Sequence, residues 1–234
     1  MSANKKNLEL DRVVFYGRSL SEYEKFFDLD IPSLEGKTVL DCPAGASSFV
    51  AEATKLGIHA VGVDSMYGPN LKNMIDQGTA DIEHVMDGLS RVNHLFNWDY
   101  FSSLENLRKK RAEALSLFAE DYPIGVMENR YFRAELPHLP YDDAVFDLVL
   151  SGHFLFTYGD RFDYSFHLAS VREMLRVCCG ELRIYPLMRL DAKPSEYISD
   201  LLSDLKKEGV KANILPVPFE FQKGADKMLT LSRV

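Results

Sequence analysis

The chain has 234 residues, of which 46% are hydrophobic and 26% charged, and its formal net charge is −8. This apolar content excludes a disordered chain, and the negative charge disfavours binding to nucleic-acid phosphates. No run reaches the roughly 18 apolar residues of a membrane helix, and no apolar core follows Lys5 and Lys6 as in a signal peptide. We expect a cytoplasmic protein with one α/β domain over residues 1–234 and no membrane segment.

Short strands at 37–41 and 59–64 are predicted on either side of a helix at 49–56, which Gly57 ends in the C′ position. Later in the chain, β-rich runs and helical spacings alternate again. They predict strands at 144–150 and 181–185 and helices at 164–175 and 197–205, followed by a hairpin of 213–221 and 227–234. Alternating strands and helices favour a doubly wound, mostly parallel sheet, which the hairpin completes with an antiparallel strand.

Residues 65–129 interrupt this rhythm, because a connection between neighbouring strands usually holds a single helix. Three helical stretches are predicted here, at 71–75, 82–96 and 104–118, before a strand at 130–134. We interpret the segment as a helical insertion between the second and third strands, which could act as a lid. Its basic run at 108–111 is interpreted as a solvated helix face.

The three cysteines (Cys42, Cys178 and Cys179) are an odd number without metal-ligand spacing. They indicate a reducing compartment and no disulfide framework. His153, Asp160 and His167 lie within a short span, but no helical spacing unites them. We therefore predict no metal site.

The most informative motif joins the first two strands. The first strand ends in Asp41 and continues into a loop of small residues and a helix, and the second strand ends in Asp64 about 20 residues further on. This arrangement is typical of a nucleoside site, since small residues let a ligand approach the backbone and the second acid accepts from the ribose hydroxyls. Pro43, Gly45 and Ser47 occupy the three small-residue positions, so the dinucleotide pattern Gly-x-Gly-x-x-Gly is not matched.

These features resemble the class I S-adenosylmethionine-dependent methyltransferases, whose motif is an acid followed by Gly-x-Gly-x-Gly. Asp41 matches the acid and Gly45 the central glycine, while Pro43 and Ser47 depart from the pattern. Residues 135–149 are similar to the family's segment before the fourth strand. Residues 173–184 resemble its helix, turn and fifth strand, with the adjacent cysteines in the turn. The resemblance implies a seven-stranded sheet with an antiparallel C-terminal hairpin, and S-adenosylmethionine as cofactor.

The resemblance also implies roles for individual residues. Asp64 would bind the ribose, Glu135 the adenine amino group, and Asp41 either the cofactor ammonium or the backbone of its own loop. Arg18 could meet the cofactor carboxylate or be a surface arginine. The cofactor-binding set is Arg18, Asp41, Pro43, Ala44, Gly45, Ser47, Asp64, Glu135, Leu136 and Ser151.

A methyl acceptor would lie beyond the fourth strand, where His153 is the candidate general base or substrate contact. The alternative is a packing histidine beneath the lid. The Asn/Asp-Pro-Pro-Tyr motif of many base and amide methyltransferases does not occur here. We therefore predict a methyltransferase acting on a small molecule, with nucleic acid disfavoured. The alternatives are a non-catalytic S-adenosylmethionine-binding protein and, less favoured, an NAD-type oxidoreductase. The sequence leaves the acceptor and the oligomeric state open.

Overall fold

The computed structural model describes residues 7–233. Residues 1–6, which bear on the expectation about a signal peptide, and Val234, the end of the predicted hairpin, lie outside this range. Residues 7–18 form an extended segment, the N-terminal strap, which leads into helix α1 (Leu20–Phe26).

One seven-stranded sheet forms the centre of the described chain, with strand order β3-β2-β1-β4-β5-β7-β6. Strand β7 is antiparallel to β5 and β6, and the other neighbours are parallel. This confirms the predicted doubly wound sheet with an antiparallel C-terminal hairpin. The strands are β1 Thr38–Asp41, β2 His59–Val63, β3 Tyr131–Phe132, β4 Phe146–Gly152, β5 Cys178–Tyr185, β6 Val210–Pro216 and β7 Lys227–Arg233.

Helices cover both faces of the sheet: α2 Phe49–Lys55, α3 Leu71–Arg91, α4 Leu104–Met127, α5 Tyr164–Val177 and α6 Ile198–Lys207. Successive strand residues point to opposite faces, so Val39 lies in one buried core and Leu40 in the other. The first core packs against the strap, α3 and α4, and the second against α5 and α6. Among residues 7–233, no helix is long and apolar enough to span a membrane.

The region 65–129 does hold long helices between β2 and β3, but it contains two of them where three stretches were predicted. Helix α3 runs without a break from Leu71 to Arg91, so it joins the segment predicted at 71–75 to most of the one predicted at 82–96. Gly78 lies inside it, and a Cβ there would come within 3.0 Å of the Leu115 side chain. The glycine therefore serves the packing of α3 on α4 and does not end the helix. Helix α4 extends nine residues past the predicted end, with Pro123 inside it.

Two further predicted boundaries were wrong. Cys178 and Cys179 were placed in a turn, but they are the first residues of β5, which begins directly after α5. The first hairpin strand ends at Pro216, because residues 217–226 form a loop that buries Phe219. That loop brings aromatic side chains toward the carboxyl ends of the strands.

Candidate functional site

A cavity of about 570 Å³ lies beyond the carboxyl ends of β1, β2 and β4, beneath the N-terminal strap. This is where open α/β sheets bind ligands, and the volume is in the usual range for small-molecule sites. The strand-end loops contribute Pro43, Ala44 and Gly45 after β1, Asp64 after β2, and His153 after β4.

The loop after β1 needs its glycine. Gly45 has φ +57°, and a Cβ at this position would lie 3.3 Å from the Tyr16 carbonyl oxygen of the strap. Ser47, predicted to bind cofactor, does not line the cavity. Its hydroxyl donates to the Arg18 carbonyl oxygen at 2.8 Å and accepts from the Phe49 amide at 3.0 Å. Ser47 therefore holds the strap against the start of α2.

Asp64 connects the two loops. Its Oδ2 accepts from the Gly45 amide and its Oδ1 from the Met66 amide, each at 2.8 Å. Burial raises the pKa of the Asp64 carboxyl, and the two amide hydrogen bonds act in the opposite direction. A carboxylate offers about four lone-pair positions, so about two stay available for the hydroxyls of a ribose.

Glu135 and Leu136 line the same cavity beyond β3. Glu135 is exposed at the rim, whereas the Leu136 side chain is buried. The two residues therefore combine an apolar contact with a carboxylate acceptor, which suits a purine ring that carries an amino group.

Asp41 is fully buried and lies one layer behind the wall of the cavity. Its Oδ2 accepts from the Tyr23 hydroxyl at 2.8 Å, and Tyr23 itself lines the cavity. Its Oδ1 has no hydrogen-bond partner within residues 7–233, and burial raises the pKa of its carboxyl well above the ordinary value. Ser151 is also buried behind the wall, with an unpartnered hydroxyl. The structure thus does not bring Asp41, Ser47 and Ser151 to the cavity surface.

Arg18 lines the cavity, and its guanidinium forms no hydrogen bond or ion pair within the described part of the chain. Its Cζ lies 5.3 Å from the centre of the Tyr16 ring. Burial and the nearby Arg111 lower the pKa of Arg18. A half-buried cation that forms no ion pair with the described residues gains stability from an anionic ligand, so Arg18 is a suitable partner for a carboxylate.

Arg111 was predicted to lie on a solvated face, and this was wrong. Lys109 in the same basic run is exposed, but Arg111 is buried and forms two hydrogen bonds of 2.6 Å with Glu22 of α1. Its guanidinium also lies 5.0 Å from the Tyr16 ring centre. The run follows the helix surface, and only its fourth member turns inward toward α1.

His153 has φ +54°, and its backbone amide donates to the Tyr185 carbonyl oxygen at 2.6 Å. The centre of its ring lies 5.1 Å from the ring centres of Phe26 and Tyr185, and its Nδ1 has no hydrogen-bond partner among the residues that the structure describes. Burial, together with the charges of two arginines, lowers the pKa of His153 well below the ordinary value. The imidazole is therefore uncharged at neutral pH. It both packs against aromatic rings and borders the cavity.

Two further kinds of side chain could carry chemistry, a reactive thiol and a set of metal ligands. Cys42 lines the cavity, and burial raises the pKa of its thiol well above the ordinary value, so it is not a nucleophile. Within residues 7–233, no group of three histidine, cysteine or acidic side chains could hold a metal ion. Both ring nitrogens of His167 are already used by the carbonyl oxygens of Asp163 and Leu155.

The sheet order, the single antiparallel strand and the position of the strand-end cavity define a fold of the class I methyltransferase type. The chain is 31% identical over 229 residues to the uncharacterized protein MJ0045 of Methanocaldococcus jannaschii, covering 97% of this chain and 99% of that protein. It belongs to the same family as that protein. No protein-family model matches the chain.

Among solved structures, the chain is similar to a SAM-dependent methyltransferase from Aquifex aeolicus, at 16% identity over 91% of this chain and 93% of that one, with a TM-score of 0.46. It is also similar to magnesium protoporphyrin IX methyltransferase from Synechocystis PCC 6803 with bound SAM. That match has 12% identity over 86% of this chain and 72% of the other, with a TM-score of 0.43.

Proposed function

We propose that this protein is an S-adenosylmethionine-dependent methyltransferase whose acceptor is a small molecule. The observation that supports this most strongly is the pairing of two groups in one cavity. Asp64 offers free carboxylate lone pairs at the end of β2, and Arg18 offers a guanidinium that forms no ion pair with the described part of the chain. A nucleoside joined to an amino acid carries the two complementary groups, ribose hydroxyls and a carboxylate.

The residues present fit this cofactor. Asp64 would accept from the ribose, Glu135 and Leu136 would hold the adenine, and Arg18 would bind the carboxylate. Asp41 would act through Tyr23, whose hydroxyl it fixes. When bound, S-adenosylmethionine would supply a methyl group on a sulfonium sulfur; the acceptor's electron pair forms the new bond to carbon, and the carbon–sulfur pair stays on sulfur.

Several features of the chain support a small acceptor. The strap and the insertion surround the cavity, and buried aromatic residues form part of its wall. The formal net charge of −8 disfavours a nucleic-acid substrate. The chain's own residues thus position an acceptor and exclude water, and the uncharged His153 is available to accept a proton at its ring nitrogen.

The test is titration calorimetry of S-adenosylmethionine, S-adenosylhomocysteine and methylthioadenosine, which lacks the amino-acid part. The variant Asp64→Asn should bind all three ligands more weakly. Its side-chain nitrogen is a hydrogen-bond donor, so the side chain cannot accept from both loop amides and from the ribose hydroxyls. Replacing Arg18→Met should weaken the two amino-acid ligands roughly 10- to 150-fold, the value of a hydrogen bond to a charged group. It should leave methylthioadenosine unchanged, and Arg172→Met on the exposed face of α5 is the matched control.

Absence of binding by the wild-type protein would contradict the proposal. Binding of both cofactor forms without methyl transfer to any compound of a cell extract would instead indicate a non-catalytic S-adenosylmethionine-binding protein. Binding of NAD in place of the adenosyl ligands would indicate an oxidoreductase.

A further inference from the structure

A second, smaller compartment of about 90 Å³ adjoins the cavity. Five residues line both spaces and so form the boundary between them: Val14, Tyr16, Arg18, His153 and Tyr158. Asp64, Glu135 and Leu136 line the larger cavity alone. The compartment therefore adjoins the part of the cavity that holds Arg18 and His153, the two groups assigned above to the amino-acid end of the cofactor and to the acceptor.

The walls of this inner compartment are mainly apolar and include several aromatic rings. Leu89 of α3 contributes to them, together with Phe96 and two residues of the loop between β6 and β7, Phe219 and Phe221. The Phe96 and Phe221 rings lie 4.8 Å apart. Such walls favour a flat apolar body over a flexible polar chain.

The charges around the compartment are unequal. Arg111 and Glu22 neutralise each other through their paired hydrogen bonds, whereas the Arg18 guanidinium forms no hydrogen bond or ion pair with residues 7–233. Among the described residues, neither the Thr157 hydroxyl nor Nδ1 of His153 has a hydrogen-bond partner. The compartment thus offers a cation, an uncharged imidazole and a hydroxyl, but no free carboxylate. This combination disfavours an ammonium and favours an oxygen that carries negative charge.

We infer that the inner compartment holds the methyl acceptor, and that the acceptor is a small single-ring compound with an ionisable hydroxyl, of the phenol class. The inference rests on the proposed function. An apolar cavity of about 150 Å³ holds benzene, so a space of about 90 Å³ admits at most one small ring, and part of that ring must extend into the larger cavity. The ring's hydroxyl would then stay at the boundary with the larger cavity.

The boundary residues suit such a hydroxyl. The uncharged imidazole of His153 accepts its hydrogen bond and then its proton, which is the proton lost when the oxygen is methylated. The positive charge of Arg18, whose five N–H donors can serve the cofactor carboxylate and the acceptor oxygen together, stabilises the negative charge that develops on the oxygen. An aliphatic alcohol of the same size would gain less, because its oxygen holds negative charge far less readily.

The test measures binding of phenol to the full chain saturated with S-adenosylhomocysteine, by saturation-transfer NMR and calorimetry, with cyclohexanol and 2-naphthol as comparisons. Phenol should bind at least tenfold more tightly than either one, since cyclohexanol is not acidic and 2-naphthol has a second ring. Replacing Leu89→Trp fills the compartment and should reduce phenol binding at least tenfold. Its affinity for S-adenosylhomocysteine should stay within threefold of wild type, which also shows that the variant is folded.

Leu89→Phe is the milder variant if the tryptophan prevents folding. Leu56→Trp, at the exposed end of α2, is the matched control, and its affinity for phenol should equal that of wild type. Binding of S-adenosylhomocysteine without measurable phenol binding would overturn the inference and leave the proposed function standing. If both Leu89→Trp and Leu89→Phe left phenol binding intact, phenol would bind outside the inner compartment, and this would also overturn the inference. Failure to bind S-adenosylhomocysteine would overturn the proposed function itself.

Discussion

The guanidinium of Arg111 donates two hydrogen bonds of 2.6 Å to the carboxylate of Glu22, although 89 positions separate the residues along the chain. Both side chains are almost fully buried. Arg111 belongs to the helical insertion and Glu22 to α1, so the pair fastens the insertion to the helix that follows the strap. This ion pair lines the smaller compartment, beside its boundary with the larger cavity.

Replacing Arg111→Met should lower the free energy of unfolding by about 3–5 kcal/mol, because the buried Glu22 carboxylate then has no counter-ion. Urea-induced unfolding followed by circular dichroism measures the change. Lys109→Met, on the exposed side of the same helix, should change the free energy by less than about 0.5 kcal/mol. The double variant Glu22→Leu with Arg111→Met should recover most of the loss, and a double variant as unstable as the single one would contradict this account.

The ion pair of Glu22 and Arg111 also predicts how the free energy of unfolding changes with pH. Burial alone would raise the pKa of Glu22, but the charge and hydrogen bonds of Arg111 prevail, and the pKa is lower than its ordinary value of 4.5. A lowered folded-state pKa stabilises the protein above pH 4.5, and the contribution is lost as the pH falls through the folded-state value. The stability difference between wild type and Glu22→Gln should therefore be constant from pH 7 to about pH 5 and shrink below pH 4.5.

Unfolding in urea at a series of pH values measures that difference. Glu113→Gln, which alters an exposed carboxylate of α4, the helix of Arg111, is the control. Its free energy of unfolding should differ little from that of wild type at every pH. A difference between wild type and Glu22→Gln that widens toward acid pH would show that Glu22 is destabilised by its surroundings, which the proposed pairing does not allow.

Much of the fold could be predicted because its signals are local in sequence. The end of α2 could be located from Gly57, which has φ +78°, and Gly209 after α6 has φ +77°. Gly45 and Asp64 could be assigned to one site because each follows a predicted strand, and parallel strands end at the same edge of a sheet. The structure joins the two by a direct hydrogen bond.

The contacts behind the site could not be predicted, because they join residues that are far apart in the chain. Nothing within the basic run distinguishes Arg111 from Lys109, since the difference is made by Glu22 on another helix. Tyr23 likewise shows no pattern that links it to Asp41. The role of Gly78 within α3 likewise depends on Leu115 of another helix, whose side chain would lie 3.0 Å from a Cβ at Gly78.

Gly17 should be essential for the position of the strap. A Cβ at Gly17 would lie 2.0 Å from the carbonyl oxygen of Ala46, so Gly17→Ala must push the strap away from the cofactor loop. The free energy of unfolding should fall by about 1–3 kcal/mol, as is usual for overpacking. Calorimetry should also show weaker binding of S-adenosylmethionine, because the adjacent Arg18 moves with the strap.

Gly68→Ala is the matched control, because no atom lies within 4 Å of a Cβ at that position. It should leave both stability and binding near wild type. If Gly17→Ala lowered stability without any loss of S-adenosylmethionine affinity, the strap would have no part in holding the cofactor.

Asp41 should lower the stability of the folded protein at neutral pH. Burial raises the pKa of its carboxyl well above 3.8, the Asp64 charge adds to this, and the hydrogen bond from Tyr23 offsets only part of it. Because the pKa of Asp41 is raised in the folded state, the stability that its neutral carboxyl contributes is fully present below pH 3.8. This contribution is lost as the pH rises through the folded-state pKa. Asp41→Asn cannot ionise, so at pH 7 it should be more stable than wild type, by on the order of 1 kcal/mol or more. This advantage should shrink as the pH is lowered toward 4.

Urea-induced unfolding of Asp41→Asn at pH 7 and pH 4 measures the effect, with Asp99→Asn at an exposed position as the control. The asparagine oxygen can still accept the Tyr23 hydroxyl, so S-adenosylmethionine affinity should stay within about threefold of wild type, whereas Asp64→Asn should lose about tenfold or more. A large loss of affinity in Asp41→Asn would show that the buried charge itself attracts the cofactor ammonium. In that case Asp41 would destabilise the free protein because the charge that balances its carboxylate, the cofactor ammonium, is present only when the ligand is bound.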